Sequence, residues 1–290
     1  MAGTITPGGS ALNLLEQTYR AELATQCNEE MRIANDFDNG NDGLEKFGNL
    51  LNIRKILRVG ASTLNTTDTG KSLTYTNNTE LVVTVSPTFA YGAVEIARTT
   101  LSRLLAEAKL RAAYRKQIAA GLSTKIDADA GILAASLVTS VKGGSTQNFD
   151  KAFMLDGIGA LIENAKDVYA PGQGGWAFLK YHPRQWDNIH AINEITNAQV
   201  RGDSEKPVKV GWVWAAYGLK LMETGSVYTN AGTAHNLLHV KESHVLAYNT
   251  RPDFLTPQEF ELVWRLIAFV EYGVGEVWDE WAVDMQTTSS

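Results

Sequence analysis

The sequence predicts an α+β fold, and three stretches predict it. One stretch, from Val94 to about Lys125, has the period of a long helix. A Thr-rich, strand-period stretch ending near Ser86 precedes it. An acidic, aromatic, partly alternating stretch from Phe254 to Met285 closes the chain. In the first, apolar residues recur at Val94, Ala97, Leu101, Leu104, Leu105, Ala108, Ala112, Ile118 and Leu122. The steps are mostly threes and fours, which keep them on one side of an α-helix. Arg98, Arg103, Lys109, Arg111, Arg115 and Lys116 fall between them, no proline interrupts, and Gly121 stands at a helix-stop position. Roughly thirty residues span about 45 Å, longer than an average globular helix. Alone, this reads as a core helix with a wetted basic face. Its flanks make it the element around which the chain is arranged.

Before it, MAGTITPGGS is small and polar and reads as extended or disordered. Ser10 is an N-cap for a helix from Ala11 to about Asn35, with Leu12, Leu15, Tyr19, Leu23, Cys27 and Met31 as its apolar stripe. Cys27 on that stripe reads as a small buried hydrophobe. As the single cysteine, it excludes an intrachain disulfide. Asn35 to Gly43 is a loop by composition, and it lacks the Glu that closes a calcium loop. Ile53 to Val59 reads as a strand carrying Arg54, Lys55 and Arg58. From Ser72 to Ser86, Leu73 and Tyr75, then Leu81, Val83 and Val85, alternate, with turns at Thr67–Gly70 and Asn77-Asn78. Such an arm buries too little apolar surface to stand alone. It must pack on its own body or on a neighbouring subunit.

After the long helix, Asp127 and Asp129 are spaced to point to different faces, which suits capping or solvation rather than acid–base work. Ile132 to Val141 is apolar and Lys142–Thr146 is a loop. Asn148 to Tyr169 forms a second amphipathic helix through Phe149, Phe153, Ile158, Leu161, Ile162 and Ala165. The glycine-rich loop from Ala170 to Gly175 precedes a strand, so it is no phosphate cradle. Trp176 to Tyr181 is that strand, and Pro183 opens a helix to about Asn193. Arg201-Gly202-Asp203 reads as a chance tripeptide. Val208 to Glu223 forms two strands joined tightly at Tyr217-Gly218.

Net charge is −6 but unevenly spread: residues 1–50 carry −5, 51–130 carry +5, and 253–290 carry −7. Acidic ends and a basic middle suggest internal or intersubunit complementarity, and argue against a dedicated nucleic-acid binder. No apolar run reaches transmembrane length, and the N-terminus lacks the regions of a secretory signal. There is no nucleophile elbow, dinucleotide fingerprint or Walker loop. His235, His239 and His244 lie close in sequence, yet no acidic partner spacing completes a metal site, and Leu237, Leu238 and Val240 look strand-like. The expectation is a non-enzyme with no catalytic, cofactor-binding or metal residues. A hydrolase using His235, His239 and His244 is the reading from another class.

The order of parts resembles the major capsid protein of tailed double-stranded DNA bacteriophages, the Hong Kong 97-type fold. Leu122-Ser123-Thr124-Lys125-Ile126-Asp127 resembles that family's exit from its spine helix. Trp176 to Pro183 is similar to its strand ending at a Pro before a helix. Trp214 to Leu221, WAAYGLKL, resembles its strand, aromatic, Gly, strand passage. The resemblance implies an N-terminal arm over 1–51 and an extended β-hairpin loop over 52–92. The spine helix and the start of the peripheral domain follow over 93–148, a mainly axial domain over 149–252, and C-terminal strands returning to the peripheral domain over 253–290. It implies a structural protein that self-assembles into hexamers and pentamers of an icosahedral shell, located in the virion capsid and assembled in the host bacterial cytoplasm. Implied partners are copies of itself, a separate scaffolding protein, a portal protein, an optional decoration protein, and packaged DNA bound without sequence specificity. With about fifty residues before the extended loop, no fused scaffolding segment is expected. Intersubunit contacts fall to Arg54, Lys55, Arg58, Lys71, Arg98, Arg103, Lys109 and Arg111, facing a neighbour's acidic N-arm or C-terminal strands. Some relatives crosslink through a loop Lys; Lys71 lies in that region, but no Asn partner is identified, so the crosslink is not carried over. An encapsulin-type nanocompartment shell shares the fold and is the nearest alternative.

Overall fold

Helix α1 (22–30) leads through a 3-10 turn, Ala34–Asp36, into a short strand β1 (Asp38–Asn39). The computed structural model describes residues 22–40, 44–47, 50–56, 80–97, 108–165, 177–192, 215–260 and 263–289. Strands β2 (Leu44–Phe47), β3 (Leu50–Ile56) and β4 (Glu80–Val85) form an antiparallel three-stranded sheet in that order. Then come β5 (Thr88–Ala97), the long helix α2 (Ala108–Ser136), β6 (Val141–Gly143) and α3 (Lys151–Asn164). The rest alternates little: β7 (Ala177–Tyr181), a 3-10 turn at Pro183–Gln185, α4 (Trp186–His190), β8 (Ala215–Ala216), β9 (Leu219–Glu223), β10 (Tyr228–Asn230) and β11 (Thr233–Val240). Two long strands, β12 (His244–Phe260) and β13 (Val263–Glu276), precede β14 (Ala282–Thr288).

Two cores follow from two amphipathic patterns. On β13, Leu266, Ala268, Val270 and Tyr272 are buried, and on β5 Ala90 shares their face. These alternate positions meet Ile118, Ala119, Leu122, Ile126, Ala130 and Ala134 of α2, spaced at three and four. This first core sits between α2 and the sheet β1-β12-β13-β5. In the second, Phe153, Met154, Ile158 and Leu161 of α3 pack on Leu179, Leu219, Leu221, Leu238, Val283 and Met285. Those belong to the sheet β6-β14-β11-β7-β9-β8, with β10 pairing β11. Strand β11 serves both cores, because Leu237 falls in the first and Leu238 in the second. The three-stranded sheet is rooted where Val85 meets Val245, Ala247 and Val277.

Several elements sit where the sequence puts them. The second amphipathic helix is present, starting at Lys151 rather than Asn148, because Asp150 caps it by accepting from the Phe153 N–H at 2.8 Å. Pro183 stands in the first turn after β7. Tyr217 (φ +54°) and Gly218 (φ +78°) make a two-residue hairpin turn between β8 and β9, a geometry that needs two positive φ angles.

The long helix is corrected in position. Val94 to Ala97 end β5, paired with Leu266 to Val263 of β13, and the helix is described from Ala108. Apolar spacing of three and four does not exclude a strand over four residues, and pairing with β13 decides it. Gly121 is no stop: α2 runs on to Ser136, a helix of 29 residues and about 43 Å. Burial of Leu122, Ile126, Ala130 and Ala134 outweighs the roughly 1 kcal/mol that a helical Gly costs. The N-terminal helix ends at 30 rather than Asn35, because the next amides are captured by a side chain of α2. Strand β3 begins at Leu50 rather than Ile53 and is described to Ile56, Leu57 to Val59 lying outside the described residues, and β2 occupies residues expected to be N-arm. The turns at Thr67–Gly70 and Asn77-Asn78 lie outside the described residues.

The two glycines of α2 differ in surroundings. An added Cβ at Gly121 meets nothing within 4 Å, whereas one at Gly131 falls 2.4 Å from the Ser226 carbonyl oxygen. Gly121→Ala is expected to stabilise the protein by about 0.5–1 kcal/mol. Gly131→Ala is expected to destabilise it by about 1–3 kcal/mol. Urea denaturation of both variants checks the opposite signs.

Candidate functional site

The basic residues assigned to subunit contact divide by position. Arg54 and Lys55 lie on β3, in register with Val82 and Leu81 of β4. Lys109 is exposed in the first turn of α2, and Arg111 follows on the same helix. Arg58, Lys71, Arg98 and Arg103 lie outside the described residues. The helix's next two cations are already used within the chain. Arg115 pairs with Glu22 and donates from Nε to Gln26 at 2.9 Å, and Lys116 lies 3.6 Å from Glu30. The acidic N-terminal segment therefore meets the basic helix inside one subunit, at α1 against α2.

Beside this contact, residues 31–40 form a strap that the sequence does not single out. The Asp127 carboxylate of α2 accepts three backbone N–H groups, from Arg32 (2.6 Å), Ile33 (2.9 Å) and Ala34 (3.0 Å). Burial pushes this carboxyl up from its usual range, while the three donors and Lys180 pull it down. Asp36 of the strap forms an ion pair with Lys180 of β7, whose side chain is only 1% exposed. Burial lowers the Lys180 ammonium, and Asp36 opposes that shift. The strap then pairs β1 in parallel with Val245 and Leu246 of β12. Asp129, two residues from Asp127, faces elsewhere and accepts from the Tyr272 hydroxyl at 2.6 Å and from Lys125 at 2.5 Å. One sequence signal was available: Lys180 sits in a strand whose five residues are all buried, where an unpaired lysine does not survive.

The histidines do not form a hydrolytic site. His239 and His244 are fully buried. His235 is paired instead, its Nδ1 2.8 Å from Asp284 Oδ2 on the adjacent strand β14, where Gln286 also donates. Among the described residues, no group of three or more His, Cys, Asp or Glu is placed to hold a metal. Burial pushes the Cys27 thiol up to about 12, which removes it as a nucleophile.

Apolar side chains remain in water on several elements. Phe89 is 61% and Tyr91 68% exposed on β5, on the sheet face opposite α2, and Phe89 stacks on Phe269 with centroids 5.8 Å apart. Val82 of β4, Leu155 and Ile162 of α3, and Val138 add to them. Aromatic and aliphatic surface of this kind is typical of surfaces that other proteins cover.

Solved structures share this architecture along nearly its whole length. A chain of Mycobacterium phage Che8 matches with a TM-score of 0.62 and 13% identity over 89% of this chain and 90% of that one. The capsid of Ralstonia phage GP4 matches with a TM-score of 0.62 and 12% identity over 88% and 87%. A virus-like particle from Pyrococcus furiosus matches with a TM-score of 0.55 and 9% identity over 93% and 98%. No family model matches the sequence, and no curated protein matches it. The chain has the α+β Hong Kong 97-type capsid fold that its order of elements resembles.

The buried pair between strap and sheet sets a measurable expectation. Asp36→Ala leaves the Lys180 ammonium buried without its partner and is expected to cost about 3–5 kcal/mol. Combining it with Lys180→Met removes the charge and is expected to recover most of that loss. A double-mutant cycle in denaturant reads the difference.

Proposed function

We propose that this chain is the major capsid protein of a tailed double-stranded DNA bacteriophage, assembling into the hexamers and pentamers of an icosahedral shell. The observation that carries the reading is the whole-length likeness to phage capsid chains, with coverage of 88% of this chain and 87% of the Ralstonia phage GP4 capsid. The exposed Phe89 and Tyr91 and the slender three-stranded sheet support it, since both need partners to bury apolar surface. In this reading 1–51 is the N-arm, 52–92 the extended loop, 93–148 the spine helix and start of the peripheral domain, 149–252 the mainly axial domain, and 253–290 the C-terminal strands. The partners are other copies of the chain, a separate scaffolding protein, a portal protein, an optional decoration protein and the packaged genome. The protein acts structurally rather than as an enzyme. It takes its place in the virion capsid after assembly in the host bacterial cytoplasm.

Arg54, Lys55 and Arg58, with Lys71, Arg98, Arg103, Lys109 and Arg111, are the proposed intersubunit contacts. Exposed ion pairs contribute roughly 0–1 kcal/mol each, so they set register more than strength. Net negative charge avoids the tight, salt-dependent phosphate binding that would hinder packing of DNA. The likeness to the virus-like particle from Pyrococcus furiosus favours a second shell reading, an encapsulin-type nanocompartment, at the lower TM-score of 0.55. The contents of purified particles, genome or protein cargo, separate the two.

Negative-stain microscopy of the expressed chain, with and without a scaffold, is expected to show closed shells of uniform size. A small oligomer under every condition overturns both shell readings. Reversing Arg54, Lys55 and Arg58 together to Glu is expected to abolish shells while leaving the melting temperature within about 3 °C, as surface substitutions change stability by under about 0.5 kcal/mol. Normal particles from that variant remove the charge argument.

A further inference from the structure

Where the strap crosses from one sheet to the other, Phe37 packs against two imidazoles that also touch each other. Its ring stacks on His244 with centroids 4.9 Å apart and planes at 21°, and it meets His239 edge-on at 5.4 Å and 87°. Phe178 stacks on His239 at 5.4 Å, and the two imidazoles are 5.7 Å apart. His239 belongs to β11 of one sheet and His244 opens β12 of the other, so the strap's one aromatic side chain joins both sheets. His239 Nδ1 lies 3.1 Å from the Val240 carbonyl oxygen, and His244 Nδ1 lies 2.7 Å from Ser243 Oγ. Among the described residues, neither Nε2 has a hydrogen-bond partner, so an added proton there meets no acceptor from them.

Among the described residues, the charged groups around the rings come from several elements: Lys220 of β9 lies 5.2 Å from the Phe178 ring, and Glu276 of β13 stands in register with His244. Lys180 on β7 opposes a positive charge at His239, and Asp36 on the strap is Lys180's partner. Asp279, in the 3-10 turn Asp279–Trp281, is the counter-charge nearest His244. Asp127 on α2 and Arg32 on the strap lie behind Lys180. We propose that the cluster of Phe37, His239 and His244 is a proton-operated joint: a proton on either imidazole is hydrated only when the rings part, so it loosens strap 31–40 and frees the two sheets to shift against each other.

The direction follows from linkage. Burial holds both imidazoles well below their usual 6.5, His244 at about 3, so the closed joint refuses the proton that an opened, hydrated imidazole accepts. The open form binds more protons below about 6.5, so opening becomes more favourable as pH falls, by up to about 10-fold per pH unit for each imidazole. Asp127 works against this. Its carboxyl is raised in the closed form, so acid favours closure at that group. Acid-driven opening therefore cannot be assigned to Asp127. The joint does not depend on the shell reading.

Hydrogen exchange on the whole purified chain, corrected for intrinsic rate, reads the opening constant at the amides of Arg32, Ile33 and Ala34. It is expected to change by less than about 2-fold per imidazole from pH 7.5 to 6.5. Between pH 6.5 and 5.0 it should rise about 16-fold if one imidazole takes up a proton and about 270-fold if both do, while α3 stays protected. His239→Phe and His244→Phe keep the ring and remove the titration; each should lower the slope, and the pair should flatten it. A level wild-type profile down to pH 5.0 overturns the proposal without any variant. So does a rise shared equally by α3, or one undiminished in every folded variant.

Discussion

A single carboxylate on the long helix holds the architecture's N-terminal segment in place. Asp127 accepts from three consecutive amides of Arg32, Ile33 and Ala34, two of which belong to fully buried residues. Buried amides must find acceptors, and here a side chain supplies them. By accepting all three, Asp127 ends the N-terminal helix and turns the chain across the body. Met31, Ile33, Ala34 and Phe37 then complete the first core, and Asp36 reaches Lys180 in the second sheet. Helix, sheet and sheet are thus tied by ten residues that form almost no regular structure of their own.

This arrangement makes the subunit two cores sharing one seam. Strand β11 contributes adjacent residues to opposite cores, and β12 begins two turns of chain later in the other sheet. Seams between packed layers are where relative motion costs least, because fewer interdigitated side chains must be disturbed. The seam here is plugged by aromatic rings rather than aliphatic chains, and two of those rings titrate.

Charge is spent first inside the molecule. Glu22 and Glu30 on the N-terminal helix answer Arg115 and Lys116, and Glu95 answers Arg265 across the exposed sheet face at 2.8 Å. What stays exposed among the described residues is apolar surface on β5 and α3, of the kind that contacts between proteins cover, and Lys109 at the start of α2. Apolar area supplies most of the attraction in such contacts, and charge chooses the partner and its register.

The sequence by itself determined the α+β class, the hairpin at Tyr217-Gly218, the second amphipathic helix, the buried state of Cys27 and the order of parts that carries the resemblance. These rest on local rules: side-chain period, capping and positive φ act within a few residues. It gave Val94 to Ala97 to the long helix, where they end a strand, and stopped that helix too soon. A strand's last four residues and a helix's first turn share one apolar pattern, and only pairing with β13 separates them. The strap was invisible for a related reason. Asp127 and Arg32, Asp36 and Lys180, and His235 and Asp284 are partners 95, 144 and 49 positions apart. Their pairing depends on burial, which no local period records. Tertiary structure alone decided which carboxylate is a clamp, which lysine is buried and which histidines meet.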